Sequence, residues 1–228
     1  MATNMPTNTP LQQQLDEVLA QARSQLPADL LKDLSSPIEQ LIMSDAAKKA
    51  LKEGAQAPDF TLPDALGNAV ALSHLLAQGP VVITFYRGEW CPYCNLELHA
   101  YQQALPQLRA LGATLVAISP QTPDHSLSTV EKIELTFAVL SDVGNRVARQ
   151  FGLVFTIDEA VRSAHERVGA NLPAFNGDDS WELPMTGTFL IDQSGIVRLA
   201  FVNPDFTRGL DPSVIVARLK ELRGELSS

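Results

Sequence analysis

Three short runs, at residues 81–86, 114–118 and 189–191, are apolar almost throughout, and helical patterns lie between them. A strand exposed on one face alternates polar and apolar residues. A run without alternation needs cover on both faces. Helical patterns at 95–111, 123–132 and 143–151 supply that cover, so the chain is expected to be an α/β protein with helices on both sides of one sheet. A turn at Asp192-Gln193-Ser194-Gly195 leads into a further strand at 196–202, and a last helix is expected at 212–222.

The first of these runs breaks at once into Arg87-Gly88-Glu89-Trp90-Cys91-Pro92-Tyr93-Cys94 and then a helix. Cys91 and Cys94 are the two cysteines of the chain. One pair cannot build a structural disulfide framework, and in a reducing compartment such a pair points to catalysis or metal binding. No second Cys-x-x-Cys exists, and helical spacing turns His99 away from Cys91, so no metal is expected. Both thiols fall in the first turn of a helix, where free N–H groups and the positive end of the dipole favour a thiolate. Pro92 suits that turn because its missing N–H is not needed there. Arg87 stands close enough to stabilise a thiolate.

Before this block, residues 11–51 read as helical. Leu11, Leu15, Val18, Leu19, Ala22 and Leu26 keep a three- or four-residue spacing, Pro27 ends the pattern, and Pro37 is expected to start a second helix. Two domains follow: a helical extension at 1–53, and a main domain at 54–228 with a hairpin around Gly67 and a short helix capped by Ser73. Residues 156–184, mixed in charge and carrying Pro173, Gly177 and Trp181, fit no element and read as an insertion or lid. The extension has no strand partner, so it must dock on the domain or on a second copy of the chain; a homodimer is therefore among the expected partners. His74, His125 and His165 lie in polar segments and read as exposed loop residues. A formal net charge of −9 argues against nucleic acid or anionic membrane as partner. No apolar stretch approaches the roughly 20 residues of a membrane helix. Residues 1–10 lack a basic or apolar leader, so a cytoplasmic location is expected.

In order along the chain, Gly54-Ala55-Gln56-Ala57-Pro58-Asp59-Phe60, Val82-Ile83-Thr84-Phe85-Tyr86, Ala117-Ile118-Ser119-Pro120, Leu140-Ser141-Asp142 and Gly187-Thr188-Phe189-Leu190-Ile191-Asp192 resemble landmarks of the alkyl hydroperoxide reductase/thiol-specific antioxidant peroxiredoxins. The resemblance implies a thioredoxin-like fold with a helical N-terminal extension. It also implies a thiol peroxidase acting on H2O2 or organic hydroperoxides, without a cofactor, and recycled by a thioredoxin- or glutathione-type thiol. Aligned on the family motif, Cys94 takes the peroxidatic position, Cys91 that of a threonine, Arg87 that of a proline and Glu97 that of an acidic residue. Thr186 stands where the family carries its catalytic arginine, and Arg87 is expected to take over that electrostatic role. Trp90-Cys91-x-x-Cys94 is also similar to the thioredoxin signature, in which the first cysteine attacks. Peroxide chemistry is therefore expected at Cys94, and exchange with protein disulfides at Cys91. Trp90 and Tyr93 are expected around the sulfur, with Thr84 and Thr186 as hydroxyl donors. Pro184 is expected near the site as a cis-proline. The alternative functions are a thiol–disulfide oxidoreductase acting on proteins and a redox-sensing interaction module.

Overall fold

The computed structural model describes residues 10–225; the polar start of the chain, residues 1–9, lies outside them. Helix α1 (Leu11–Gln25) ends before Pro27, as its spacing requires. Helix α2 (Ala28–Met43) starts immediately after Pro27 and runs through Pro37, which is buried within it rather than at its start. The hairpin β1 (Thr61–Pro63) and β2 (Ala69–Ala71) precedes the short helix α3 (Leu72–Leu76). Ser73 does not cap α3: Ala71 is the capping residue, and the Ser73 N–H is held instead by Asp59 Oδ1 at 3.0 Å.

The alternation continues with β3 (Val81–Phe85), α4 (Pro92–Ala110), β4 (Thr114–Ser119), α5 (Pro123–Ile133), β5 (Ala138–Ser141) and α6 (Arg146–Gln150). Helix α6 starts later than its apolar pattern suggests, because Gly144 and Asn145 are both left-handed (φ 77° and 56°). The Asp142 carboxylate then takes the free N–H groups of Val147 and Ala148. Residues 156–184 form ordered structure: β6 (Val154–Thr156) and β7 (Glu182–Pro184) pair antiparallel, and between them stand α7 (Glu159–Arg167) and α8 (Leu172–Asn176). The chain closes with β8 (Thr186–Ile191), β9 (Val197–Asn203) and α9 (Pro212–Glu225).

The central sheet has the order β5-β4-β3-β8-β9. Strands β3, β4 and β5 run parallel, and β8 and β9 are antiparallel additions on the other side of β3. All five residues of β3 are buried. Val82 and Tyr86 enter one core with α4 and α9, while Val81, Ile83 and Phe85 enter the other with Leu72, Val147 and Phe151. This is the mixed α/β thioredoxin-like arrangement expected for the uniformly apolar runs. The helical extension docks on its own domain: Leu11 and Leu15 are buried in the core that α4 shares with the sheet. Its C-terminal half, with α2, arches over the N-terminus of α4.

Candidate active site

Strand β3 ends at Phe85, and the chain reaches α4 through one tight turn. Gly88 makes that turn with φ 152°; a Cβ there would lie 2.7 Å from Gln121 Oε1. The same Gln121 oxygen accepts the Glu89 N–H. Cys91 is the residue capping α4, with Pro92 at the first helical position. Cys94, in the first turn, lies with its Sγ 2.8 Å from Cys91 Sγ and donates to it. The exposures of the two residues are 1% and 2%.

Their surroundings separate the two sulfurs. Burial pushes the Cys91 thiol up, but the donated Cys94 S–H, the Arg87 charge and the Cys94 and Tyr93 amides outweigh it and leave the Cys91 pKa below the ordinary thiol value. Those amides favour the thiolate without making full capping hydrogen bonds. Burial raises the Cys94 thiol well above its ordinary value, and its bond to Cys91 adds to the shift. Both cysteines belong to the core around α4, but Cys91 also lines the cavity beside the site and Cys94 does not.

Arg87, 4% exposed, is clamped between aromatic rings, its guanidinium carbon 4.0 Å from the Phe206 centroid and 4.6 Å from that of Trp90. Its Nη2 lies 3.3 Å from His165 Nε2, its Nε–H has no partner, and no carboxylate of the described residues pairs with it. His165 Nδ1 lies 3.1 Å from the Val161 carbonyl. Burial, and then the Arg87 charge, hold the His165 pKa down to about 4. The ring is therefore neutral, donating from Nδ1 to Val161 and accepting from Arg87 at Nε2. The expectation of an exposed His165 is corrected: it is buried on α7, 1% exposed. The signal was present, since Ile157, Val161, Ala164 and Val168 place it on the apolar face of a helix. Phe206, on the loop after β9, carried no local signal.

Trp90 touches Arg87, stands edge-on to His165 at 6.0 Å and packs with Val161, Trp181 and Leu183 of the inserted segment. Tyr93 packs on Phe206 at 5.6 Å, and burial raises its pKa. Thr84 does not reach a sulfur. It accepts from Thr188 (3.1 Å), which lies 3.0 Å from Tyr101 Oη. Tyr101 in turn contacts Glu97 Oε1 at 2.9 Å. Glu97 is thus buried and structural in setting: Oε1 also accepts the Leu210 N–H, and burial lifts its pKa to about 7. The Thr186 hydroxyl is buried without a partner, at the start of β8 and outside the cavity lining. No cis peptide bond occurs among the described residues, so Pro184 is trans.

The cavity measures about 420 Å³. Its floor is Arg87, Trp90, Cys91, Pro92 and Tyr93, and its walls come from α1, α2, α7 and the Phe206 loop.

Residues 54–200 match the model of the AhpC/TSA family. The chain is similar to chloroplastic peroxiredoxin Q of Sedum lineare, with 28% identity over 74% of this chain and 77% of that protein. Its similarity to peroxiredoxin Q of Populus jackii is also 28%, over 75% and 68%. Among solved structures, peroxidoxin BcpB of Mycobacterium tuberculosis superposes with a TM-score of 0.59 at 25% identity, covering 75% of this chain and 98% of that one. Peroxiredoxin 6 of Arenicola marina, at 18% identity and a TM-score of 0.62, shares the fold over 76% of this chain and 74% of its own.

Proposed function

This chain belongs to the AhpC/TSA family of peroxiredoxins, and on that premise we propose that it is a thiol peroxidase in which Cys91 attacks the peroxide and Cys94 resolves. The assignment reverses the one suggested by motif alignment. A single observation carries it: Cys91 is the sulfur that faces the cavity, with its thiolate favoured by Arg87 and by the S–H of Cys94 2.8 Å away.

The Cys91 thiolate attacks the nearer peroxide oxygen, the O–O bond breaks, and Cys91 becomes a sulfenic acid. The leaving oxygen carries the negative charge beside the Arg87 donors until water protonates it. The Cys94 thiol then attacks the Cys91 sulfur; the S–S bond forms and the sulfenic hydroxyl leaves as water with the Cys94 proton. A thioredoxin- or glutathione-type thiol returns two electrons and two protons by exchange. This cycle needs no cofactor. It suits a reducing compartment, so a cytoplasmic setting is part of the proposal; no helix among the described residues is long and apolar enough to cross a membrane.

Two features bear on the alternatives. At 1% exposure Cys91 is closed to any folded protein unless the helical arm moves aside, so reduction by thioredoxin and exchange with a protein disulfide both require that movement, whereas a small hydroperoxide reaches the sulfur through the cavity. The arm docks on its own domain, which removes the main support for an interaction module. The test is NADPH oxidation coupled through thioredoxin and its reductase, with hydroperoxide as oxidant, beside insulin reduction. Hydroperoxide-dependent turnover without insulin reduction is expected. Insulin reduction without peroxide turnover would replace this reading with the oxidoreductase.

A further inference from the structure

We infer, resting on the peroxidase reading above, that the cavity over Cys91 is the binding site for the organic group of a small, neutral, apolar hydroperoxide, and that the helical extension confers this preference. Three observations carry the inference. Reactive and apolar parts meet in one enclosure: Cys91 and Arg87 lie at the floor, while Val18, Leu19, Ala22, Leu34, Ile38 and Val168 form the walls. Hydrogen peroxide would find polar groups there in Arg87, Trp90, Tyr93, Ser35 and Thr207, but only an alkyl or aryl group gains from covering the aliphatic walls.

The size is the second. A cavity of about 420 Å³ falls within the roughly 300–1,000 Å³ of small-molecule sites. Polarity is the third. Apart from Arg87 and the Cys91 thiolate it serves, the lining has no charged side chain, because His165 is neutral. A fatty-acid carboxylate would therefore bury its charge unpaired against the α1 and α2 walls. The Arg87 Nε–H, buried and without a partner, supplies the donor that a peroxide oxygen requires at the floor. The α1 and α2 walls lie outside residues 54–200, so this preference belongs to this chain's own extension rather than to the domain matched by the family.

The test is single-turnover oxidation of the reduced protein by H2O2, tert-butyl hydroperoxide and cumene hydroperoxide, read as loss of free thiol after an acid quench. The expected second-order rates rise in that order, by about tenfold at each step, since each added apolar group that fits a pocket contributes at least at that level. Ala22→Phe, which fills the cavity from α1, is expected to remove the preference for cumene hydroperoxide, read as the ratio of its rate to the H2O2 rate of the same protein. Leu34→Gln, which polarises the α2 wall without filling it, is expected to reduce the same preference. Wild-type protein that reacts with H2O2 as fast as with cumene hydroperoxide overturns the inference and leaves the peroxidase reading standing. Failure of every hydroperoxide to oxidise the thiols overturns both. A natively folded Ala22→Phe protein that keeps the full preference overturns the assignment to the extension.

Discussion

The Arg87 guanidinium and the His165 imidazole meet at 3.3 Å, a cation held by a neutral ring that contributes only a lone pair. This pairing fixes the guanidinium without neutralising it. A carboxylate in the place of His165 would have cancelled the charge that the Cys91 thiolate needs.

Replacing Arg87 by Met retains much of the packing between Trp90 and Phe206 and removes the charge. The second-order rate of thiol oxidation by peroxide is expected to fall on the order of 100-fold, the usual effect of deleting a donor to developing oxyanion charge. Stopped-flow kinetics at neutral pH measures this. A rate equal to wild type would remove Arg87 from the chemistry.

His165 acts on the sulfur through Arg87 and is a positioning residue. His165→Phe deletes the acceptor while keeping a ring beside Trp90. The midpoint pH for alkylation of Cys91 by iodoacetamide is expected to rise, because a loosened guanidinium stabilises the thiolate less well. His165→Gln, whose amide oxygen can accept from Arg87, is expected to restore part of the shift. An unmoved midpoint in His165→Phe counts against the role, since a purely structural loss would lower stability and leave the profile where it was.

The order of events at the two sulfurs is open to direct labelling. Dimedone is expected to trap a sulfenic acid on Cys91 in the Cys94→Ser protein after one equivalent of peroxide, with at least tenfold less label in Cys91→Ser. Mass spectrometry of the labelled peptide decides the matter, and label confined to Cys94 reverses the assignment. Cys91 carries the advantages of position and charge; Cys94 is buried in the core and is the donor of the pair.

The sheet, its flanking helices and the reactive pair were legible in the sequence because they rest on local signals: uniformly apolar strands, a 3.6-residue period, and Pro92 after Cys91. The roof over the site was legible only as helices. Val18, Leu19, Ala22 and Leu26 have the spacing of any core face, and nothing local says that they stand over a thiol instead of against a sheet. The short elements within the inserted segment were not legible for a related reason. Its strands are three residues each and pair only with one another, so no strand pattern could form, and its small core of Ile157, Val161, Leu172 and Trp181 closes only in three dimensions. Thr84 shows the remaining limit: a hydroxyl one turn of chain from the active site is taken by Thr188, because strand register places the two side by side.

Glu97 and His165 impose opposite pH dependences on stability. Burial raises the Glu97 carboxyl from its ordinary 4.5 to about 7, so its contribution is fully present below about 4.5 and is lost as pH rises through about 7. His165 is depressed from 6.5 to about 4, so its contribution is present above about 6.5 and is lost as pH falls through about 4. Each amounts to about 3 kcal/mol at 1.36 kcal/mol per pKa unit. Between pH 4.5 and 6.5 the two slopes oppose and largely cancel in the native protein. Substituting one group exposes the other: Glu97→Gln is expected to lose stability on acidification below pH 6.5, and His165→Phe on alkalinisation from pH 4.5 to 7. Urea midpoints of the reduced proteins across pH 4.5–7.5 measure both slopes. If the two variants share one pH profile, neither buried group titrates in the way its surroundings require.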